Sequence, residues 1–146
     1  MNDIAEDDMS GIQYPLEGSC QCGNVRYQLL APPLKVIACH CIACQKLSTS
    51  AFSITALIES DTLVLQGELA QWERLADSGN KNYAKFCPHC GNRIYHFNPD
   101  EPGLIKLKAA SLNDTRVLKP EAHLWVSQKQ AWYQIPDGVP QFSEQS

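Results

Sequence analysis

The chain has 146 residues, 44% of them hydrophobic and 19% charged, which is enough apolar material for one packed domain and argues against disorder as the default. A net charge of -4 speaks against a partner held mainly through phosphates, so no nucleic acid is expected, and no apolar run reaches the roughly 18 residues a membrane-spanning helix needs. The acidic start, Met1 to Asp8, lacks the apolar stretch of a secretory leader, which points to the cytoplasm and to reduced thiols.

In chain order, residues 1–13 read as a flexible acidic tail, and 14–146 as a single zinc-binding domain. Val25, Tyr27 and Leu29 alternate with polar residues as in a half-buried strand. Short strands follow at Leu34 to Cys39, Ala51 to Ile58 and Thr62 to Leu65, with a turn at Gly67. Leu69 to Leu75 and Tyr83 to Phe86 read as strands flanking the turn Asp77-Ser78-Gly79-Asn80. Arg93 to Phe97 ends at Asn98-Pro99, and Leu104 to Lys108 alternates cleanly. A helical turn is expected only at Cys41 to Leu47, and the stretch after Pro136 is polar and turn-rich. The class is therefore mainly β, built of small sheets.

Seven cysteines cannot all pair as intramolecular disulfides. Their spacing suggests metal instead. Cys20 and Cys22, two apart on an extended segment, face one side, and Cys87-Pro88-His89-Cys90 forms a tight turn relaxed by Gly91. Together these four can close a tetrahedral zinc site that joins the start of the domain to its middle. Cys39, Cys41 and Cys44 remain, and three ligands with one open position are the layout of a catalytic zinc. Three thiolates weaken the ion as a Lewis acid, so this site suits holding a substrate thiol as thiolate better than activating water. Competing readings are a redox pair, buried apolar cysteines, or a structural site completed by His40 or a distant histidine.

These residues resemble the glutathione-dependent formaldehyde-activating enzyme family, which includes centromere protein V. The likeness runs from about Gly18 to Phe142. It rests on Gly18-Ser19-Cys20-Gln21-Cys22-Gly23-Asn24-Val25, Cys39-His40-Cys41-Ile42-Ala43-Cys44-Gln45-Lys46 and Phe86-Cys87-Pro88-His89-Cys90-Gly91. His123-Leu124-Trp125, Trp132 and Asp137-Gly138-Val139-Pro140-Gln141-Phe142 complete it. The resemblance implies a β-tent fold of small antiparallel sheets stapled by zinc. It also implies a structural zinc on Cys20, Cys22, Cys87 and Cys90 and a second, catalytic one on Cys39, Cys41 and Cys44. The implied reaction is that of a carbon-sulfur lyase, joining a glutathione-like thiol to a formaldehyde-like aldehyde or reversing that step. The run Leu47-Ser48-Thr49-Ser50-Ala51-Phe52 departs from the family by lacking a glycine before Ala51-Phe52.

Other residues carry weaker signals. His40 is either a group that acts on the cysteine sulfurs or one turned outward by its neighbours. His89 is expected to face solvent, His96 to be packed or at the surface, and His123 is a candidate to line a cleft near the open site. Trp125 and Trp132 read as core. Arg26, Lys46, Lys85 and Arg93 are candidate partners for the carboxylates of an anionic thiol. The rival functional readings are a non-catalytic zinc module that binds a macromolecule and a redox or metal-buffering role for the three-cysteine cluster.

Overall fold

The computed structural model describes residues 11–145. The expected acidic tail lies mostly outside that range, although Ile12 and Tyr14 already pack against the core. The described residues include ten strands and one α-helix, with short 3-10 turns between them: β1 (Leu16–Ser19), β2 (Arg26–Leu29), β3 (Lys35–Cys39), α1 (Ile42–Ser48), β4 (Ser53–Glu59), β5 (Leu63–Gln66), β6 (Ala70–Trp72), β7 (Tyr83–Phe86), β8 (Arg93–Phe97), β9 (Leu104–Lys108) and β10 (Ala122–Leu124). It is mainly β, as the alternation implies. Among the described residues no helix is long and apolar enough to cross a membrane.

Two sheets form. The smaller has the order β1-β2-β5 and is antiparallel throughout. The larger has seven strands in the order β10-β3-β4-β9-β8-β7-β6, antiparallel except where β10 runs parallel to β3. Alternation decides which side chains meet. On β9, Ile105 and Leu107 turn to the core while Lys106 and Lys108 point the other way. Val36, Ala56 and Leu107 share the core-facing side through their register, and Leu16, Val25, Tyr27 and Leu29 bring the small sheet onto the same cluster. Full burial of Leu29, Ile58, Ile94 and Leu107 stabilises the fold by about 1.5–3 kcal/mol each.

Two strands escape the pattern in the sequence. β1 is short and interrupted by Gly18, and β10 is three buried residues with no polar alternation. The expected strand from Leu69 to Leu75 shortens to Ala70–Trp72, after which a single Leu75–Lys81 bridge spans the turn. The helical turn does form, one residue later than its outer bound, with Cys41 as N-cap. Trp132 is 70% exposed rather than core, because it follows the last strand on an irregular segment, with Tyr133 edge-on to its ring, and Trp125 is half-buried.

Candidate metal centres

Cys20 and Cys22 sit in the β1–β2 loop, Cys87 and Cys90 in the β7–β8 loop. Each loop closes on its own backbone: the Cys20 amide donates to the Val25 carbonyl at 2.9 Å, and the Gly91 amide to the Cys87 carbonyl at 2.9 Å. Gly23 and Gly91 take φ of 84° and 80°, which a side chain would resist. Backbone amides also point at sulfur, from Val25 to Cys20 Sγ at 3.2 Å and from His89 and Cys90 to Cys87 Sγ at 3.4 and 3.5 Å. The Gln21 amide donates to Asn92 Oδ1 at 3.0 Å and locks the two loops together. All four Sγ atoms lie within 4.8 Å of one another. The Cys20–Cys22 and Cys22–Cys87 separations of 3.5 and 3.7 Å match the edge of a tetrahedron, about 3.8 Å, that follows from zinc–sulfur bonds of about 2.3 Å.

The other three cysteines gather at one corner of the large sheet. Cys39 ends β3, Cys41 caps α1 by accepting from the Cys44 amide at 3.4 Å, and Cys44 lies in the first turn. Their sulfurs also lie within 4.8 Å of one another, and among the described residues no fourth histidine, cysteine or carboxylate ligand joins them. Crowding splits their ionisation. The hydrogen bond from Cys39, helped against burial by Lys108 and Ser53, brings Cys44 down to about 5. That same bond to Cys44 and then burial push Cys39 up, and burial pushes Cys41 up. Three thiolates this close repel one another until a cation joins them.

The surroundings fit such an ion. Lys108, on β9, donates to Thr55 Oγ1 at 2.8 Å, and among the described residues no carboxylate lies at ion-pair distance from it. Burial lowers its pKa, and the Cys44 and Cys39 thiols are the groups that raise it. A dication on three thiolates leaves one net negative charge, which a single ammonium balances. Ser53 Oγ is buried with no oxygen or nitrogen partner among the described residues, and its effect is to lower the pKa of Cys44, as expected for a hydroxyl turned to a thiolate sulfur.

His40 is fully buried, so the outward-facing reading fails. Its Nε2 lies 2.9 Å from His123 Nδ1, and its ring centroid lies 4.9 Å from Phe52 and 5.7 Å from Tyr133. Burial, then His123 and Lys129, hold His40 down to about 4, and burial lowers His123, so the pair is neutral. His123 is buried at 2% exposure and does not line an open cleft. His40 Nδ1 has no hydrogen-bond partner among the described residues. Gln45 and Gln128 pin the segment after β10 onto this corner, Gln45 Nε2 donating to the carbonyls of His40 and Gln128 at 2.8 and 2.9 Å and Gln128 Oε1 accepting from the Ile42 amide at 2.7 Å. Of the candidate cations, Arg26 bonds the Gly23 carbonyl and Lys46 is exposed in the last turn of α1. Lys85 lies over Phe97, and Arg93 contacts His96. His89 is exposed and His96 buried. Sequence reasoning missed Lys108, Ser53 and Tyr133. Only the alternation of β9 hinted at the first, by placing it opposite Leu107.

A family model described as glutathione-dependent formaldehyde-activating enzyme matches residues 15–128. A Halomonas elongata protein named "Putative glutathione-dependent formaldehyde-activating enzyme" is 30% identical over 129 residues, 82% of this chain and 80% of that protein. A crystal structure of a Rhodobacter sphaeroides protein matches with a TM-score of 0.50 at 17% identity, covering 87% of this chain and 99% of that one, a likeness of fold alone.

Proposed function

The chain belongs to the glutathione-dependent formaldehyde-activating enzyme family, and from that premise we propose that it is a zinc-dependent carbon-sulfur lyase acting on a glutathione-like thiol and a formaldehyde-like aldehyde. The observation that carries this reading is the group of three sulfurs, Cys39, Cys41 and Cys44, with no fourth ligand from the described residues. Zinc bound there would hold a substrate thiol as its thiolate near neutral pH. Addition forms one bond between that sulfur and the aldehyde carbon, and the thiol proton ends on the former carbonyl oxygen; the reverse reaction breaks the same bond.

The chain's own residues have separate tasks. Cys39, Cys41 and Cys44 bind the ion, Lys108 balances its charge, and Gln45 with Gln128 holds the loop. The neutral His40–His123 pair packs one wall with Phe52 and Tyr133. Cys20, Cys22, Cys87 and Cys90 hold a second, structural zinc that staples two sheets, which we read as the family's β-tent arrangement, in one domain from residue 14 onward. The reduced thiols that both sites need suit a cytoplasmic protein.

The test is zinc content together with formation of S-hydroxymethylglutathione, followed by NMR. The wild type should hold two zinc ions per chain and exceed the uncatalysed rate, whereas Cys41→Ser should keep one zinc and fall to background. Equal rates with wild-type protein and with none would remove the catalytic reading.

A further inference from the structure

The register of the large sheet sets one continuous face. Trp72 lies opposite Ala84, Ala84 opposite His96, His96 opposite Lys106, and Lys106 opposite Leu57. Two residues along on the same face are Thr55 and Lys108, and beyond them Ser53 and Cys39. The face therefore leads from the three-cysteine cluster to Trp72.

Positive charge runs along it without carboxylate partners. The ion pairs among the described residues join Lys81 to Asp100 and Arg116 to Asp114, leaving Arg74, Arg93, Lys106 and Lys108 unpaired. Lys108 lies two residues from Lys106 on β9 and opposite Thr55 on β4, which is followed on the same face by Ser53 and Cys39, so it links the cluster to the rest of the track. Arg93 is held by a neutral partner. Its Nη1 donates to His96 Nε2 at 3.0 Å, and His96 Nδ1 donates to Asn82 Oδ1 at 3.2 Å. Burial first, then Lys108, Arg93, Lys106 and Arg74, push His96 down to about 3. A neutral imidazole orients the guanidinium and leaves its charge intact. The Trp72 ring, 48% exposed, lies 5.5 Å from the Arg93 guanidinium and 6.0 Å from that of Arg74.

Isolated surface cations are ordinarily just solvated. Here Arg93 is half-buried, and burial and then Arg74 lower its pKa. Like charges gathered this way, on a chain of net charge -4, repel one another until an anion joins them. A guanidinium with fixed orientation and free donors is suited to a carboxylate.

We propose that Arg93, positioned by His96 against Trp72 and flanked by Arg74, is the residue that binds a carboxylate of the thiol taken up at Cys39, Cys41 and Cys44. This rests on the reading that a substrate thiol binds at those three cysteines. His96 is a positioning residue, acting through Arg93.

The experiment uses cobalt-substituted protein, in which thiolate binding changes the visible sulfur-to-metal absorption independently of turnover. Glutathione, its diethyl ester and 2-mercaptoethanol are titrated against wild type, Arg93→Gln, Arg93→Lys and Arg74→Gln. Wild type should prefer glutathione to the diester. Arg93→Gln should weaken glutathione about tenfold, as loss of a charge-assisted pair does, and leave the diester and mercaptoethanol unchanged. Arg93→Lys should recover part of the loss. Arg74→Gln, whose guanidinium reaches the Leu75 carbonyl at 3.4 Å in an exposed contact and lies 6.0 Å from the Trp72 ring, should show a smaller loss of the same kind and decides the matter if Arg93→Gln does not hold cobalt. Unchanged glutathione binding in these variants, or equal affinity of wild type for glutathione and its diester, overturns the proposal while thiol binding at the cysteines stands. A wild-type spectrum that no thiol alters overturns the thiol reading itself, and the carboxylate site with it.

Discussion

Lys108 and His96 both lie on the outward face of the large sheet, yet burial lowers the pKa of each. For Lys108 the compensation comes from the thiols. Replacing it by methionine keeps the bulk and removes the balancing charge, so zinc at Cys39, Cys41 and Cys44 should bind about tenfold or more weakly. Competition with a chromophoric chelator measures this, and an unchanged affinity would separate Lys108 from the metal site. For His96 the consequence is a pH dependence of stability. Burial pushes its pKa in the folded chain down to about 3, from the ordinary 6.5. Between those values the unfolded chain binds more protons, so the stabilisation is whole above pH 6.5, shrinks as pH falls through the interval, and is gone below about 3. Its ceiling is about 5 kcal/mol. Both metal sites also lose ligands to protons in acid, so the quantity to compare is denaturation midpoint against pH for wild type and His96→Gln. The variant should show the shallower fall between pH 6.5 and 4; parallel curves would mean that His96 does not stay neutral in the folded chain.

Elements differ in how far their own residues announce them. β9 and β2 alternate, and their buried sides follow directly. The capping cysteine and the residues after it mark α1, and ligand spacing alone divides the cysteines four and three. β10 was not legible, because its three buried residues are explained only by β3, which it joins in parallel with Ala122 beside Ile37. The cation track was not legible either: Lys106 and Lys108 share a face of β9, but Arg93 joins them only through the pairing of β8 with β9. The turn after β5 was legible at Gly67, but its importance was not. Gly67 has φ of 105°, and a Cβ there would overlap the Asn24 carbonyl oxygen in the β1–β2 loop. Gly67→Ala should therefore cost at least about 2 kcal/mol and loosen the Cys20–Cys22 loop as well as the turn. Thermal denaturation gives the first, and faster zinc loss from the four-cysteine site gives the second; a stability within error of wild type would show that the turn can shift.

At the scale of the whole molecule the two cysteine groups would do different mechanical work with metal bound. Cys20 and Cys22 belong to the loop of the small sheet, Cys87 and Cys90 to a loop of the large one, so one ion on all four ties together segments distant in sequence. Closing so long a loop through a metal restricts the unfolded chain heavily and makes the binding energy part of the folding energy. Cys39, Cys41 and Cys44 span six positions already ordered by the end of β3 and the start of α1, so an ion there adds little closure. The sites also differ in ligand number, four against three. Metal loss should therefore come in two stages. A chelator should first remove one zinc per chain with the near-ultraviolet circular dichroism retained and the melting temperature changed by only a few degrees, while thiol binding disappears. The second zinc should leave slowly, together with tertiary structure. Cys87→Ser should merge the stages by destabilising the protein before any chelator is added, whereas Cys41→Ser should remove the first stage and leave the second intact. Release of both ions in one step from the wild type, coincident with unfolding, would mean that the three-cysteine corner also supports the fold, and its role as an open binding site would lose its mechanical basis.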